Sequence, residues 1–241
     1  MTVESMQPLR AFEVQVYWPL HVGALDLSIS NTAVTLWLAV LLAVAVLLLG
    51  IRRPALLPRW PQLLVEQYYI FVRTLTLANI RQGERFVPLI FSLFTFVLAS
   101  NLIGMLPGMF TATAQLVVTG TLALMVFLYS LWLRFCRHGW RMLGTFLPHG
   151  VPGYLVPLLL PVELLSFLAR PVSLAVRLFA NMTAGHTVMG VIAFFGLLAP
   201  WFIQWVPLGL SVALYAIEIF IAVLQAYIFS VLSCVYIDDA L

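Results

Sequence analysis

Lysine is absent from this chain of 241 residues, so all 12 of its basic residues are arginine. Charged residues of both signs make up only 9% of the sequence, whereas soluble domains carry roughly 25%. The formal net charge of +3 is too small, and the arginines are too scattered, for a nucleic-acid surface. The absence of lysine also indicates a GC-rich gene.

Residues that bind metals or carry redox chemistry are scarce as well. The two cysteines, Cys136 and Cys234, lie far apart and lack the spacing of metal ligands or of a redox pair. His138 and His149 have no second ligand at a suitable interval. We therefore expect two isolated thiols, no metal site and no cofactor.

Hydrophobic residues are abundant, at 63% of the sequence with a mean hydropathy of +1.07. This composition predicts a polytopic integral membrane protein, with one membrane domain covering residues 1–241. The N-terminal segment, residues 1–30, contains Glu4, Glu13 and Asp26 and lacks the basic start, apolar core and cleavage site of a secretory signal. Membrane insertion is therefore expected to rely on the spanning helices.

Apolar stretches near or above the roughly 20 residues that a membrane helix needs predict five spanning helices. They cover residues 31–51, 86–106, 114–134, 154–195 and 207–237. The segment 54–82 mixes apolar and charged positions with several aromatic residues, which indicates an amphipathic helix lying in the membrane interface. The predicted fold class is an all-α integral membrane protein whose last two helices form a long, steeply tilted hairpin.

The first helix of this hairpin is too long to cross a bilayer upright. As one helix it would be about 60 Å long, roughly twice the hydrocarbon thickness, so it must tilt steeply or bend. Pro157, Pro161 and Pro171 permit bends because each removes a helix hydrogen bond. Steep tilt in a small protein indicates a helix shaped to a neighbouring subunit.

Two arginine clusters predict the orientation, because basic loops stay on the side from which a membrane protein is inserted. One cluster lies between residues 52 and 85, and the other consists of Arg134, Arg137 and Arg141. Two predicted spans separate the clusters, so a single topology keeps both on the inside. The same topology places the N-terminus and the turn near Pro107 outside.

Arg177 lies within the predicted hairpin, where a guanidinium cannot lose its proton and costs roughly 2.5 kcal/mol or more. A protein that retains such a costly charge is expected to need it for interaction with an opposite charge. Ion movement is therefore the first hypothesis for the function. Glu163, Arg170 and Arg177 are spaced seven apart and form one helix stripe. The partner helix repeats this spacing with Ser211, Glu218 and Gln225.

Equal distances from a turn near Trp201 sort these polar residues into three levels. They pair His186 with Glu218 near the outside, Arg177 with Gln225 in the middle, and Glu163 with Asp239 near the inside. Buried histidines and carboxylates can titrate near neutral pH, so two titratable levels would flank one permanent cation. This arrangement indicates two half-channels separated by a barrier.

Three segments carry a resemblance to a known family. The string from Arg177 to His186, RLFANMTAGH, resembles the signature of subunit a of the rotary F-type ATP synthase, also called subunit 6. Residues 218–229, EIFIAVLQAYIF, resemble the last helix of that family, and residues 101–107, NLIGMLP, resemble its second span. The similarity extends over nearly the whole chain.

The resemblance implies a stator proton channel in the Fo sector, facing a ring of c subunits whose carboxylates carry protons as the ring rotates. It assigns the barrier to Arg177 and the support of that arginine to Gln225. It also assigns two half-channels by residue: the outer one to His186, Glu218, Asn181 and Asn101, and the inner one to Glu163, Arg170 and Asp239. The pair His186 and Glu218 is exchanged relative to many bacteria, which carry the acid first and the histidine second.

The resemblance also implies partners and a location. Expected partners are the c-subunit ring, b-type subunits of the peripheral stalk, other Fo subunits, protons and membrane lipids, but no nucleic acid. The expected location is a mitochondrial inner membrane or an alphaproteobacterial plasma membrane. No glycine-rich phosphate loop occurs, so the subunit is expected to be non-catalytic, with nucleotide chemistry in partner subunits.

Two alternatives and one variant stay open at this stage. A self-contained ion-coupled transporter usually shows paired halves, and this chain has a single polar hairpin. An intramembrane hydrolase needs a nucleophile and a base at one depth, whereas Ser173 and His186 lie about 20 Å apart along one helix. A Na⁺-translocating variant of the same subunit depends mainly on the c subunit, and the ring stoichiometry is not encoded here.

Overall fold

A computed structural model of the chain describes residues 16–19, 21–22, 25–26, 28–51, 60–106, 109–139, 156–198, 200 and 202–241. Six α-helices account for most of these residues. Five of the described helices are long and apolar enough to cross a membrane, which confirms the predicted fold class. Four residues used in the sequence analysis lie outside the described residues, namely Pro107, Arg141, His149 and Trp201.

The helices are labelled in chain order. They are α1 (Asn31–Ile51), α2 (Trp60–Asn79), α3 (Val87–Gly104), α4 (Leu116–His138), α5 (Val156–Leu198) and α6 (Trp205–Asp238). Short 3₁₀ turns at Gly83–Phe86 and Ala112–Ala114 precede α3 and α4. The predicted interfacial segment 54–82 corresponds to α2, which is the one described α-helix outside the membrane-spanning set.

Four short strands precede α1 and pair locally. β1 (Val16–Trp18) pairs antiparallel with β4 (Ile29–Ser30), and β2 (His21–Val22) pairs with β3 (Leu25–Asp26). β4 runs directly into α1 and contacts its start. The strands do not alter the all-α character of the membrane part.

The buried core lies where α2, α3, α4, α5 and α6 meet. Ile90, Val97, Leu178 and Phe229 are among its most buried side chains, each no more than 1% exposed. The outer faces carry large apolar side chains instead, including those of Trp37, Leu41, Val117, Met125 and Phe220. A surface of this kind is stable only where lipid or another subunit covers it, so the burial pattern fits a membrane protein.

The hairpin is formed by α5 and α6, which are joined by residues 199–204. Helix α5 runs for 43 residues with Pro161 and Pro171 inside it, so the prolines are accommodated without ending the helix. At about 1.5 Å per residue it is about 64 Å long, which exceeds the thickness of a bilayer core. The predicted need for tilt or bending follows from this length.

Arginines from α4 and from the turn after α2 converge at the end of α6. Arg134 of α4 donates to the backbone oxygen of Asp239 at 2.8 Å, and the backbone N–H of Arg81 donates to the Asp238 carboxylate at 3.0 Å. Arg137 donates to the backbone oxygen of Leu241. The structure thus places members of both predicted basic clusters at one end of the bundle, the end that the charge pattern assigns to the inside.

Candidate functional site

Arg177 lies on the surface of α5, on the side turned away from the core. Its neighbours Leu174 and Leu178 are buried at 2% and 1% exposure, whereas Val172 and Val176 are 62% and 45% exposed. The guanidinium itself is exposed. Within the described part of the chain, no carboxylate lies at ion-pair distance from it. A permanent cation on an apolar membrane surface indicates that lipid is not what this face meets.

Gln225, the predicted support of Arg177, is a buried residue of α6 with 9% exposure. The structure contains no hydrogen bond between the side chains of these two described residues. Both nevertheless belong to helices that pack side by side over much of their length. Direct support of the arginine by the glutamine therefore stays a prediction.

His186 and Glu218 are brought together across the α5–α6 hairpin. His186 Nε2 lies 3.7 Å from Glu218 Oε1, as expected from their equal distances to the turn. Glu218 is only 5% exposed, and neither of its buried carboxylate oxygens has a hydrogen-bond partner. Burying a carboxyl group without hydrogen bonds is costly, so this position is a candidate for a functional role.

Two asparagines lie near this pair with unsatisfied amide atoms. Asn181 lines a cavity of about 220 Å³ together with Gly185 and Glu218, and its buried Nδ2 has no partner. Asn101, fully buried on α3, donates from Nδ2 to the backbone oxygen of Ala222 at 3.2 Å, while its Oδ1 has no partner. Asn101 thus links α3 to α6 and still presents a free acceptor.

A second cavity, of about 510 Å³, opens beside His186. Ser211 and Tyr215 of α6 line it opposite the α3 residues Gly104 and, just beyond, Met105. The Tyr215 hydroxyl donates to the backbone oxygen of Met105 at 3.0 Å, which ties the wall of the cavity to α3. The cavity gives His186 a volume large enough for several solvent molecules.

The third polar group lies at the other end of the hairpin, where the structure describes only part of the predicted level. Asp239 forms an ion pair with Arg170, whereas its predicted partner was Glu163, whose side chain lies outside the described residues. The Arg170 guanidinium also lies 5.9 Å from the ring centre of Phe167 and 5.8 Å from that of Tyr236. Arg170 lies seven residues, about two helical turns, after Glu163 on α5, and the predicted contact of Glu163 with Asp239 stays a prediction.

These three groups stand at different depths along α5. Arg170 and Arg177 are seven residues apart, and His186 is nine residues further on. At about 1.5 Å per residue the steps are about 10 Å and about 13 Å. The hairpin therefore presents a titratable, cavity-lined level at one end, a charged level at the other, and a lone exposed arginine between them.

A sequence profile of the family described as ATP synthase A chain matches residues 33–238, which is most of the chain and includes the three groups except for Asp239. The chain belongs to this family. It is also 45% identical to ATP synthase subunit a of Magnetococcus marinus, over 98% of this chain and 93% of that protein. The resemblance in the sequence is thereby confirmed.

As an ATP synthase A chain, the protein is the proton-channel subunit of the Fo stator. It is an integral protein of an energy-transducing membrane and part of the Fo complex. The family membership favours this function over a self-contained transporter. The roles of individual residues rest on the geometry described above.

Sequence reasoning missed three positions of this A chain that the fold brings to the His186 level. Thr111 Oγ1 lies 2.9 Å from His186 Nε2, although it comes from the loop between α3 and α4. Tyr215 precedes Glu218 by three residues on the same helix face, so the helical period could have found it. Gly185 contacts the Glu218 carboxylate, and no periodic signal marks it.

Replacing Gly185 with alanine is expected to reduce proton-driven ATP synthesis about tenfold, because overpacking costs about 1–3 kcal/mol. A Cβ atom at this position would lie 2.6 Å from Glu218 Oε1 and would push the carboxylate away from its place. The measurement is the rate of ATP synthesis by reconstituted complexes at a fixed proton gradient.

The matched control is Gly209→Ala on α6, where an added Cβ meets no atom within 4 Å. This variant should keep the parental rate. Equal rates for the two alanine variants would show that the space beside Glu218 is not needed for function.

Proposed function

We propose that this A chain passes protons to and from carboxylates on a neighbouring c-subunit ring through two offset half-channels, with Arg177 as the barrier between them. The observation that carries the proposal is an exposed guanidinium on an apolar helix face, without a carboxylate partner in the described chain. A carboxylate on a rotor at this face would supply the missing countercharge. Its negative form would be stabilised there, which favours proton release.

The outer half-channel is assigned to His186, Glu218, Asn181 and Asn101. Supporting this assignment, the described cavities of about 220 Å³ and 510 Å³ both reach the His186 and Glu218 level. The unpaired amide and carboxylate atoms there can accept, donate or exchange protons with solvent. Gln225, buried on the facing helix, is assigned to support Arg177.

The inner half-channel is assigned to Glu163, Arg170 and Asp239. The ion pair between Arg170 and Asp239 supports this by placing charged groups at the end of the bundle where Arg134 and the backbone of Arg81 also contact the end of α6. Glu163 lies seven residues before Arg170 on the same stripe of α5. The two assigned levels lie on opposite sides of Arg177, so a proton can pass from one to the other only on the rotor.

The partners follow from this mechanism. A c-subunit ring is expected against the Arg177 face, and b-type subunits of a peripheral stalk and further Fo subunits against other exposed apolar faces. The chain itself makes no covalent bond and leaves ATP chemistry to partner subunits. The 45% identity to the protein of Magnetococcus marinus favours a bacterial plasma membrane over a mitochondrial one.

Two serine-to-cysteine variants test whether the half-channels open to opposite sides. Ser211→Cys probes the wall of the outer cavity, and the exposed Ser166→Cys probes the stripe between Glu163 and Arg170. A membrane-impermeant thiol reagent is expected to label Ser211→Cys only from outside and Ser166→Cys only from inside. The background is the assembled complex with Cys136→Ser and Cys234→Ala.

The control is Leu124→Cys, an apolar position of α4 that is 49% exposed and lines neither of the two cavities. It should resist the reagent from either side, because lipid keeps a thiol protonated and excludes a charged reagent. Labelling of both serine positions from one side would overturn the two half-channels.

A further inference from the structure

Thr111 contacts the outer group from a loop. It lies between α3 and the 3₁₀ turn Ala112–Ala114, and it is 5% exposed. Its Oγ1 is 2.9 Å from the backbone oxygen of Gly104 and 2.9 Å from Nε2 of His186. The hydroxyl thus bridges a carbonyl group at the end of α3 and the imidazole on α5.

The two contacts together determine which atom carries hydrogen. A threonine hydroxyl has one proton, and a carbonyl oxygen can only accept a hydrogen bond. When Thr111 donates to Gly104, its oxygen can therefore only accept from His186. Nε2 of His186 must then carry a hydrogen, so Nδ1 is the nitrogen without a hydrogen when the ring is neutral.

Close packing holds the hydroxyl in this position. A Cβ atom on Gly104 would lie 2.7 Å from Cγ2 of Thr111 and 3.1 Å from its Oγ1, so only glycine allows the loop to approach α3 this closely. The backbone N–H of Ala114 also donates to the backbone oxygen of Thr111 at 3.1 Å. The bridging geometry therefore depends on the fold of the loop rather than on a flexible side chain.

We propose that Thr111 is a positioning residue for proton uptake, whose hydroxyl keeps neutral His186 in the Nε2-protonated tautomer. The ring then takes its next proton at Nδ1 and releases the Nε2 proton to Glu218, whose Oε1 is 3.7 Å away. This inference rests on the outer half-channel role proposed above for His186 and Glu218. It adds a direction to the transfer between them.

The step balances in protons and charge. A proton from the cavity bonds to Nδ1 and forms an imidazolium ion. The N–H bond at Nε2 then breaks, an O–H bond forms on the ionised Glu218 carboxylate, and the ring is left neutral with hydrogen on Nδ1. The Thr111 hydroxyl rotates away from Gly104 to donate to the bare Nε2. Exchange of the ring proton from Nδ1 to Nε2 through cavity solvent, with the hydroxyl turning back, restores the first state.

The test compares Thr111→Val, which keeps the side-chain shape and removes the hydroxyl, with Thr111→Ser, which keeps the hydroxyl. In the assembled, ¹⁵N-histidine-labelled complex, solid-state NMR reports the tautomer of His186, and the spectrum of a His186→Gln complex identifies its signals. Thr111→Val is expected to change the tautomer ratio about fivefold, the effect of one net hydrogen bond, and to slow ATP synthesis by a similar factor. Thr111→Ser should restore most of both.

Thr121→Val is the matched control, since the exposed hydroxyl of Thr121 on α4 donates only within its own helix, to Val117 at 2.7 Å. It should change neither readout. A Thr111→Val complex that assembles normally with the parental tautomer ratio and rate would overturn the inference, while the loss of synthesis in His186→Gln would leave the half-channel proposal intact. If His186→Gln itself synthesised ATP at the parental rate, the half-channel role of His186 would be the part that fails.

Discussion

Arg177→Ala should abolish ATP synthesis driven by a proton gradient, in complexes that still assemble and still hydrolyse ATP. Arg177 is the one exposed cation between the two assigned half-channels, and Arg170 and His186 lie about 10 Å and about 13 Å from it along the helix axis. Without the guanidinium, nothing favours the ionised form of a rotor carboxylate at this position. The measurement is ATP synthesis by reconstituted complexes, together with the passive proton conductance of Fo.

Passive conductance separates a barrier from a mere structural support. A fixed positive charge repels protons, so its removal should let them pass between the half-channels and raise the leak. Arg85→Ala, which removes an exposed arginine from the turn before α3, is the control and should change neither synthesis nor leak. Undiminished synthesis by Arg177→Ala would refute the barrier role.

Arg177→Lys refines the same test. Lysine keeps a positive charge but lacks the planar fork that binds both oxygens of a carboxylate. The leak should stay low because the charge remains, while synthesis should fall because the rotor carboxylate is bound less well. A lysine variant that leaked as much as the alanine variant would mean that shape, not charge, forms the barrier.

The helices were predictable because the bilayer sets their length. A spanning helix needs about 20 apolar residues, so hydropathy alone places α1, α3 and α4 close to where they lie. The start of α2 was harder to predict, since an interfacial helix has no fixed apolar length. The predicted starts of the last two helices, residues 154 and 207, each differ by two residues from the observed starts of α5 and α6. Differences of this size are common at helix ends.

The site was predictable only where helical period and hairpin symmetry carry the information. The contact between His186 and Glu218 follows from equal distances to one turn. The same counting places Asp239 at the inner level, where its described contact is with Arg170; its predicted contact with Glu163 involves a side chain outside the described residues and stays a prediction. Thr111 could not be found at all, since a loop residue has no period and only the tertiary fold brings it to His186.

A double variant that exchanges the outer pair, His186→Glu with Glu218→His, should retain ATP synthesis that either single substitution largely removes. In the parent protein, His186 and Glu218 lie 3.7 Å apart. His186→Glu alone replaces this pair with two facing carboxyl groups, and Glu218→His alone replaces it with two facing imidazoles. Each single variant loses the acid–base combination and puts like groups together, so ATP synthesis should fall at least about tenfold. The double variant restores one acid and one base and should recover to within about threefold of the parent.

The double exchange also distinguishes a proton path from a structural pair. If the pair only stabilised the hairpin, the variants would differ in assembly and thermal stability. The rate of ATP synthesis by the assembled complexes would then not depend on whether the pair holds one acid and one base. Gly185 leaves room for the Glu218 carboxylate, whereas an imidazole at position 218 is larger. Met189 lines both cavities, so replacing it with a smaller residue in the double variant should raise the rate of ATP synthesis further. Additive losses in the double variant, with no recovery, would contradict a shared proton-transfer role for His186 and Glu218.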